Sequence, residues 1–375
     1  MPRIGLVSTF SCECGISTYS EHLTEHYPEG DCVIFGNHFG VVSDVGYKSK
    51  HPVVRCWSRT SDFTELEAAI FESGVKLVHF QHEFGLFQNK DAFMRLIKNL
   101  TAYDRVKVVI TFHTIFNDEI LNREINELAK YCSIIIAHHK NALEYLAAVN
   151  SRVIPHGSVI VDKVDKALAR KKLSIPLDKV VLLCLGFITP NKSSIESASA
   201  VLRLRDEFPG KLQLYIVGAP ITHGQNFGNF EYCLNLFKRV KAMNGFDTIH
   251  IIPRFITEAE MALYGSAADI AIENYAQTYY STSGMSHFVM SCGLPSVSSE
   301  SNILLDLEDG RSLKFGIGDV HGLANQLEVL IKNPELRGDL AQRGSLYAQE
   351  TSWENTAKAH YDHYNGFIEA VREKV

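Results

Sequence analysis

A short polar segment, Ser281–Gly284, stands between an apolar run that ends at Glu273 and a helical pattern that stops before Gly293–Pro295. The first amides of a helix lack internal partners and attract anions, and serine and threonine add hydroxyl donors. Gly284 has no side chain, so a phosphate group can approach the backbone closely. The segment therefore predicts a phosphate-binding helix N-terminus. An ordinary capped helix is the alternative, which the segment taken alone slightly favours.

Other residues suited to phosphate and proton chemistry also follow apolar runs. Gln81–Gly85 contains a histidine and a glutamate, His113 closes another run, and Lys192 comes shortly after a third. A lysine at such a place binds phosphate as a point charge, and histidine and glutamate are common general acids and bases. Gly15–Thr18 is a turn of small residues leading into a helical pattern, but it lacks the Gly-x-Gly-x-x-Gly spacing of dinucleotide sites.

The elements that must position these residues are short apolar runs that alternate with helical patterns. This alternation is typical of parallel β-α-β units with helices on both faces of a sheet. The first half predicts strands at Ile4–Ser8, Cys32–Phe35, Leu77–Gln81, Val106–Phe112 and Ser133–Ala137, and helices at Thr18–His26, Thr64–Glu72, Lys90–Asn99 and Asn141–Val149.

The alternation restarts after a polar, basic stretch without strand pattern, which we interpret as the crossing between two domains. The predicted domains are residues 1–158 and 179–351, joined by a linker at 159–178 and followed by a C-terminal helix at 352–375. The second half predicts strands at Val180–Gly186, Leu212–Val217, Thr248–Ile252, Ile270–Glu273 and Ser296–Ser298, and helices at Ser193–Glu207, Glu231–Met243, Glu258–Ala267, Gly284–Cys292, Val320–Lys332, Glu335–Ser345 and Ser352–Arg372.

The predicted fold class is α/β, with two Rossmann-like, doubly wound parallel-sheet domains facing each other across a cleft. Open parallel sheets bind ligands at the carboxyl ends of their strands, beside the point where the strand order reverses. The candidate residues lie just after predicted strands, so we expect them to line this cleft.

Length and composition agree with two globular domains. The 375 residues exceed one typical domain, and 46% hydrophobic with 21% charged residues indicates substantial cores. The net charge of −6 gives no electrostatic case for an extended polyanion as the main partner. The N-terminus enters a predicted core strand at once, and no apolar run could span a bilayer, so we expect a cytoplasmic protein. The eight cysteines fit reduced thiols, and we interpret Cys12–Cys14 as loop.

In chain order, the motifs resemble the landmarks of the GT-B fold glycosyltransferases of family 4, in the branch with a Gln-His-Glu-Phe-Gly motif. The resemblance covers nearly the whole chain, and the ordered set is more specific than each short motif. Ser352–Glu354 resembles the start of the family's C-terminal helix, which crosses back to the first domain. The other motifs are Gly15–Tyr19, Gln81–Gly85, Phe112–Thr114, Val153–Gly157, Gly186–Lys192, Arg254–Ile256, Ala268–Asp269, Ser281–Gly284 and Gly293–Pro295.

The resemblance implies a retaining transfer of a sugar from a UDP- or GDP-sugar to an acceptor hydroxyl, with the donor mostly on the second domain. It assigns Lys192 to the diphosphate and Arg254–Ile256 to the base and ribose; a solvated lysine and an aliphatic edge strand are the alternatives. Gly15 would approach the phosphates and sugar closely, unless it is a simple turn glycine. The implied donor-binding residues are Gly15, Ile16, Lys192, Arg254, Phe255, Ile256, Ser281, Thr282, Ser283 and Gly284.

On the acceptor side, the resemblance places His82 and Glu83. His113 would touch a hydroxyl of the transferred sugar, although a lone histidine is more often part of a core. Glu83 is the only carboxylate in the matched first-domain motifs that could assist an acceptor hydroxyl as a base. The implied catalytic residues are His113, Lys192 and Glu83.

Two departures from the family pattern concern the donor. Many members carry a pair of glutamates where this chain has Tyr280 and Phe288, and Phe187 stands near the place of an arginine that usually accompanies the lysine. His287 or Glu273 could replace the missing residues in contact with the hydroxyls of the donor sugar. The sequence has no Asp-x-Asp triplet, so we expect no metal or other cofactor. A helix N-terminus and a lysine would stabilise the departing diphosphate, whose oxygen would accept the acceptor's proton.

Three functions remain open from the sequence. We prefer a glycosyltransferase that acts on a glycan or glycoconjugate. A second possibility is transfer to a hydroxylated base in DNA, which basic segments such as Ala169–Lys172 and Lys238–Lys241 would permit and the acidic net charge opposes. A third is a non-catalytic nucleotide-sugar or glycan-binding protein on a decayed transferase scaffold, which the missing glutamates and arginine would suit.

Overall fold

The chain divides into two compact units. A computed structural model describes residues 3–40, 49–102, 106–146, 150–220 and 228–372, with side chains through residue 367. Unit 1 comprises Met1–Gly157, Tyr279–Thr282 and Thr351–Val375. Unit 2 comprises Ser158–Thr278 and Ser283–Glu350.

Unit 1 is built on a seven-stranded parallel sheet. Its strands are β1 (Ile4–Ser8), β2 (Cys32–Asn37), β3 (Val53–Trp57), β4 (Leu77–His82), β5 (Lys107–Phe112), β6 (Ile134–Ala137) and β7 (Ser151–Val153). They pair in the order β3-β2-β1-β4-β5-β6-β7. The helices along this part of the chain are α1 (Gly15–Glu25), α2 (Thr64–Ser73), α3 (Lys90–Thr101) and α4 (Arg123–Ala129). Every residue of β1, β2, β4 and β6 is buried, as expected for parallel strands covered on both faces.

Unit 2 is built on a six-stranded parallel sheet. Its strands are β8 (Val180–Leu185), β9 (Leu212–Val217), β10 (Ile249–Ile252), β11 (Ile270–Glu273), β12 (Ser296–Ser299) and β13 (Ser312–Phe315). They pair in the order β10-β9-β8-β11-β12-β13, and an apolar cluster covers each face. The helices are α5 (Lys166–Leu173), α6 (Ser194–Arg203), α7 (Gly228–Ala242), α8 (Glu258–Ala267), α9 (Gly284–Ser291), α10 (Val320–Lys332) and α11 (Pro334–Glu350).

The strand order reverses once in each sheet, between β1 and β4 in unit 1 and between β8 and β11 in unit 2. The predicted α/β class with two doubly wound parallel sheets is therefore confirmed. The predicted helix Asn141–Val149 is in part a 3-10 helix, Lys140–Tyr145, and residues 147–149 lie outside the described residues.

The predicted linker at 159–178 contains α5 and belongs to unit 2. The buried side chain of Arg170 on α5 donates to the carbonyl of Ala267 at 2.9 Å and pairs with Asp269 at 2.6 Å. Ala169 beside it packs in an apolar cluster of unit 2. The basic segment Ala169–Lys172 therefore has one buried side chain, because the guanidinium of Arg170 is paired inside unit 2.

The C-terminal helix α12 (Trp353–Arg372) packs in unit 1. His360 on α12 lies 3.1 Å from the hydroxyl of Tyr19, and Tyr364 lies 2.6 Å from Nδ1 of His79 on β4. Within the described part of the chain, no helix is long and apolar enough to cross a membrane.

Gly157→Ala is expected to destabilise unit 1. An added Cβ would overlap the indole of Trp353, and overpacking of this kind costs about 1–3 kcal/mol. Gly366→Ala on α12 is the matched control, because a Cβ there meets nothing within 4 Å. Calorimetry should show a lower unfolding temperature for Gly157→Ala than for wild type and an unchanged unfolding temperature for the control. Equal temperatures in both variants would contradict this packing.

Candidate functional site

Two segments meet at the reversal point of unit 2. β8 and β11 are parallel neighbours, with Ile270 opposite Leu182. Because the carboxyl ends of both strands lie at one edge, the loop after β8 and the segment after β11 border one crevice. The cavity there is lined in part by Gly186, Phe187, Lys192, Glu273, Asn274 and Tyr275.

Lys192 brings a positive charge to this cavity. It ends a 3-10 turn, Pro190–Lys192. Its Nζ donates to the carbonyl of Leu185 at 3.3 Å and lies 4.8 Å from the centre of the Tyr275 ring. Burial alone would lower the pKa of Lys192, but Tyr275 and Glu273 stabilise the ammonium and hold this pKa above its ordinary value. Lys192 therefore stays charged at neutral pH.

Gly186 makes room for this lysine. Its φ is +105°, and an added Cβ would stand 2.6 Å from Nζ of Lys192 and 2.9 Å from Cγ of Met285 in the first turn of α9. A side chain at this position would be strained and would displace the ammonium. The ammonium of Lys192 and the start of α9 thus both border Gly186.

The four residues predicted at the start of α9 divide between the units. Ser283 is the N-cap of α9: its Oγ accepts from the amide of Ser286 at 3.2 Å and lies 2.7 Å from the hydroxyl of Tyr275. Ser283 and Gly284 belong to unit 2 with Lys192, whereas Ser281 and Thr282 belong to unit 1. The reason is a bridge of two backbone hydrogen bonds, 2.8 and 2.9 Å long, between Tyr280 and Ile115.

Glu273 and Asn274 are buried polar residues beside Lys192. Oε2 of Glu273 accepts from the hydroxyl of Ser286 at 3.0 Å. Burial raises the pKa of Glu273, while Lys192 and the hydroxyl of Ser286 oppose the shift. The Asn274 amide nitrogen donates to the hydroxyl of Ser197 at 3.2 Å, but its buried Oδ1 has no hydrogen-bond partner among the described residues. A ligand hydroxyl could satisfy this oxygen.

His287 is the other residue considered as a substitute for the missing glutamates. It is 1% exposed, with Nδ1 2.8 Å from the hydroxyl of Ser158 and Nε2 3.3 Å from Asp306. This buried network fixes α9 from inside the unit. Glu273, which lines the cavity, is the better placed of the two.

The residues after β10 differ in exposure. Arg254 pairs with Glu260 at 2.6 Å, inside the capping box that begins α8. Phe255 is 54% exposed, and Ile256 is buried in an apolar cluster. The prediction for Ile256 is therefore limited to its backbone, because its side chain is part of the core.

In unit 1, Glu83 follows β4 at the reversal point. Its Oε2 accepts from the hydroxyl of Thr114 at 2.8 Å, and its Oε1 accepts from the amide of Phe84 at 3.1 Å. Burial raises the pKa of Glu83 against these two hydrogen bonds. A carboxyl group of this kind can accept a hydrogen bond from, or take a proton from, a substrate hydroxyl.

His113 is held by two neighbours. Its Nε2 lies 2.8 Å from Oε1 of Gln81 and its Nδ1 lies 3.3 Å from Nε2 of His138. Burial and the neighbouring histidines hold the pKa of His113 well below its ordinary value, so the ring hydrogen-bonds as a neutral imidazole. Gln81 and His138 were not assigned from sequence. Across the described ranges, no group of three or more His, Cys, Asp or Glu side chains could hold a metal ion.

His82 is buried among aromatic rings. It is 1% exposed, and the rings of Phe84, Phe87 and Phe112 lie within 5.5 Å of its own ring centre. Burial lowers the pKa of His82 to about 3. His82 packs as a core histidine, since β4 is covered on both faces, and this packing argues against an acceptor-side role for its ring. Its buried Nδ1 has no hydrogen-bond partner among the described residues, and the acceptor-side role stays a prediction.

Gly15 and Ile16 begin α1, whose N-cap is Cys14. An added Cβ at Gly15 meets nothing within 4 Å, so the helix N-terminus stays open there. A hydrogen bond from the Cys12 thiol, joined by backbone amides of Ser17 and Ile16, holds the pKa of Cys14 below its ordinary value despite burial. Cys14, interpreted from sequence as loop, is thus a thiol of lowered pKa beside two predicted site residues.

Two curated relatives share part of the sequence, and no protein-family model matches the chain. D-inositol 3-phosphate glycosyltransferase 2 from Catenulispora acidiphila is 26% identical over 214 residues, and D-inositol 3-phosphate glycosyltransferase from a Nocardioides species is 26% identical over 220 residues. Each alignment covers 56% of this chain. The chain spans about half the length of these relatives, at 48% and 47%.

Solved structures match nearly the whole chain. Anabaena Alr3699/HepE in complex with UDP gives a TM-score of 0.79 at 15% identity, covering 98% of this chain and 100% of that one. Sucrose-phosphate synthase from Thermosynechococcus elongatus gives 0.79 at 16% identity, covering 99% and 100%. The α,α-trehalose-phosphate synthase from Burkholderia xenovorans gives 0.73 at 12% identity, covering 97% and 100%. The chain therefore has the GT-B fold of glycosyltransferases; membership of family 4 stays a prediction.

Cys14 is expected to be the most reactive cysteine. Its lowered pKa leaves thiolate at neutral pH, whereas burial raises the pKa of Cys132, Cys184 and Cys292. Iodoacetamide labelling followed by mass spectrometry should modify Cys14 first. Cys12→Ser should slow this labelling and Cys184→Ser, the control, should not. Equal labelling rates at all cysteines would contradict the arrangement.

Proposed function

We propose that this protein is a glycosyltransferase that moves a sugar from a nucleoside diphosphate sugar to an acceptor hydroxyl. The observation that carries the proposal is the reversal point of unit 2, where Lys192 and the first turn of α9 both border Gly186. A lysine and a helix N-terminus directed at one space are suited to hold a diphosphate. The names of the relatives and solved structures support this class of reaction.

We propose a uridine diphosphate donor. The solved structures of Anabaena Alr3699/HepE contain UDP and, in another crystal, UDP-glucose. In this chain, Lys192 and the amides of Ser283 and Gly284 would hold the diphosphate. The exposed ring of Phe255 and the backbone of Ile256 would contact the base, and Oδ1 of Asn274 would accept from a donor hydroxyl.

The proposed reaction retains the configuration of the transferred sugar, as the resemblance to a retaining family suggests. The bond between the anomeric carbon and the diphosphate breaks, and the acceptor oxygen bonds to the same face of that carbon. The acceptor proton passes to the departing diphosphate oxygen, whose charge Lys192 and α9 stabilise. Glu83 would orient the acceptor hydroxyl. Both ring nitrogens of His113 are engaged by Gln81 and His138, so its backbone carbonyl would accept from a sugar hydroxyl.

We propose a glycan or another polyol as the acceptor. The relatives' names refer to inositol phosphate, and two of the structures are synthases of sucrose phosphate and trehalose phosphate. None of these names refers to DNA. The segment Ala169–Lys172, one of two that would permit a DNA acceptor, has its arginine buried against Asp269. A polyol acceptor therefore has the better support.

Lys192→Ala should reduce the stabilisation by nucleotides. A ligand present at a hundredfold excess over its Kd stabilises the folded state by about 2.7 kcal/mol. Loss of a charged partner should weaken UDP binding about 10- to 100-fold. Thermal unfolding with UDP, GDP and ADP measures both effects, and Lys241→Ala on the exposed face of α7 is the control. If none of the three nucleotides raises the unfolding temperature, the donor assignment fails.

Glu83→Gln should separate transfer from donor binding. Loss of the carboxylate that orients the acceptor hydroxyl should slow transfer about 100-fold, while UDP stabilisation stays unchanged. The raised pKa of Glu83 means that wild-type transfer should increase as pH rises through it. Release of UDP from a UDP-sugar with a glycan acceptor measures the rate, with exposed Glu72→Gln as the control. Unchanged transfer by Glu83→Gln would exclude this role. A protein that binds UDP but transfers no sugar would be a binding protein instead.

A further inference from the structure

Glu273 is an acidic residue beside a cavity that is proposed to hold an anion. It ends β11, is 2% exposed and lines the cavity together with Lys192. The hydroxyl of Ser286, in the first turn of α9, donates to its Oε2 at 3.0 Å. The carboxylate is therefore adjacent to both elements that would attract a diphosphate.

When Glu273 is ionised and no ligand is bound, its charge largely cancels that of Lys192. Within the described residues, these are the two charged side chains that line the cavity. The other titratable groups facing Glu273 are Cys184 on β8 and Tyr275 on its own segment, and burial raises the pKa of both, so they stay neutral. From α9 the carboxylate meets the hydroxyl of Ser286. The ammonium is thus the main influence that keeps Glu273 ionised.

A bound diphosphate changes this balance. It adds at least two negative charges next to Lys192, whose ammonium then serves the phosphates as well as Glu273. Like charges that share a site poor in water repel strongly, and a carboxylate in that position takes up a proton. The protonated acid can then donate a hydrogen bond to a phosphate or sugar oxygen, which the carboxylate cannot do.

We infer that binding of a nucleoside diphosphate at Lys192 is coupled to uptake of one proton by Glu273. The inference rests on the proposed function for the position of the diphosphate. It adds a consequence for the catalytic cycle: the carboxylate weakens the binding of the product nucleotide at higher pH and so favours its release.

The direction of the pH dependence follows from linkage. Burial already raises the pKa of Glu273 in the free protein, and the bound anion raises it further. Below the free-protein pKa the residue is protonated in both states, and binding takes up no proton there. Between the free and bound pKa values, the Kd rises about tenfold per pH unit. Above the pKa that Glu273 has in the complex, its titration no longer changes the Kd.

Calorimetric titration of the full chain with UDP tests this. Heats measured in buffers of different ionisation enthalpy, between about pH 6 and pH 9, give the number of protons taken up. Wild type should take up about one proton more than Glu273→Gln at the pH of the largest difference. Glu273→Gln should bind UDP more tightly than wild type at the alkaline end. The comparison removes the titration of UDP itself, which both proteins share. Glu328→Gln on α10, where the carboxylate pairs with Lys332 at 2.6 Å, should behave as wild type.

Equal proton uptake by wild type and Glu273→Gln would overturn the inference, and so would weaker UDP binding by Glu273→Gln at every pH. Both results would leave the proposed donor site intact. Absence of UDP binding by wild type would instead overturn the proposed function and this inference together. If Glu273→Gln fails to fold, the inference can still be tested with Ser286→Ala. Losing the hydroxyl raises the free-protein pKa of Glu273, so proton uptake at the acid end of the range should fall below that of wild type. Unchanged uptake across the whole range would overturn the inference.

Discussion

The burial of both faces of each parallel sheet dictates where polar chemistry can stand in this protein. Strands such as β1 and β4 are buried throughout, so their backbone groups are used in the ladder and their side chains in packing. The charged side chains of the candidate sites therefore lie at or just beyond the strand ends. Crossover connections of one hand bring the carboxyl ends to the same edge, and the reversal of strand order opens a gap there. Lys192 and Glu273 occupy that gap in unit 2 because β8 and β11 are neighbours.

The same burial explains which strands the sequence could predict. Ile4–Ser8 and Ile270–Glu273 were predicted to the residue, because central strands are continuous apolar runs. The strands β3, β7 and β13 were missed, and each lies at the edge of its sheet. An edge strand has fewer neighbours and is less buried, so β3 can carry the charged side chain of Arg55, which interrupts its apolar pattern. The helix α8 was also predicted to the residue, because its capping box is a local signal.

The candidate site was predictable where residue type and position after a strand were enough. Lys192 and Gly284 are of this kind, and unit 2 holds them both. His82 and His113 both close apolar runs, but only the three-dimensional packing shows that His82 is enclosed by aromatic rings. Asn274 carried no signal of its own. Its orphaned oxygen becomes visible only when the partners of its amide nitrogen are known, since sequence does not show which strands are neighbours.

The path of the chain between the units has a consequence for synthesis on the ribosome. The chain leaves unit 1 after Gly157 and returns to it for good only at Thr351, where α12 begins to pack against α1 and β4. The sheet that is translated first therefore receives its last layer only after unit 2 has been made. All of unit 2 is therefore synthesised while the seven-stranded sheet of unit 1 still lacks α12.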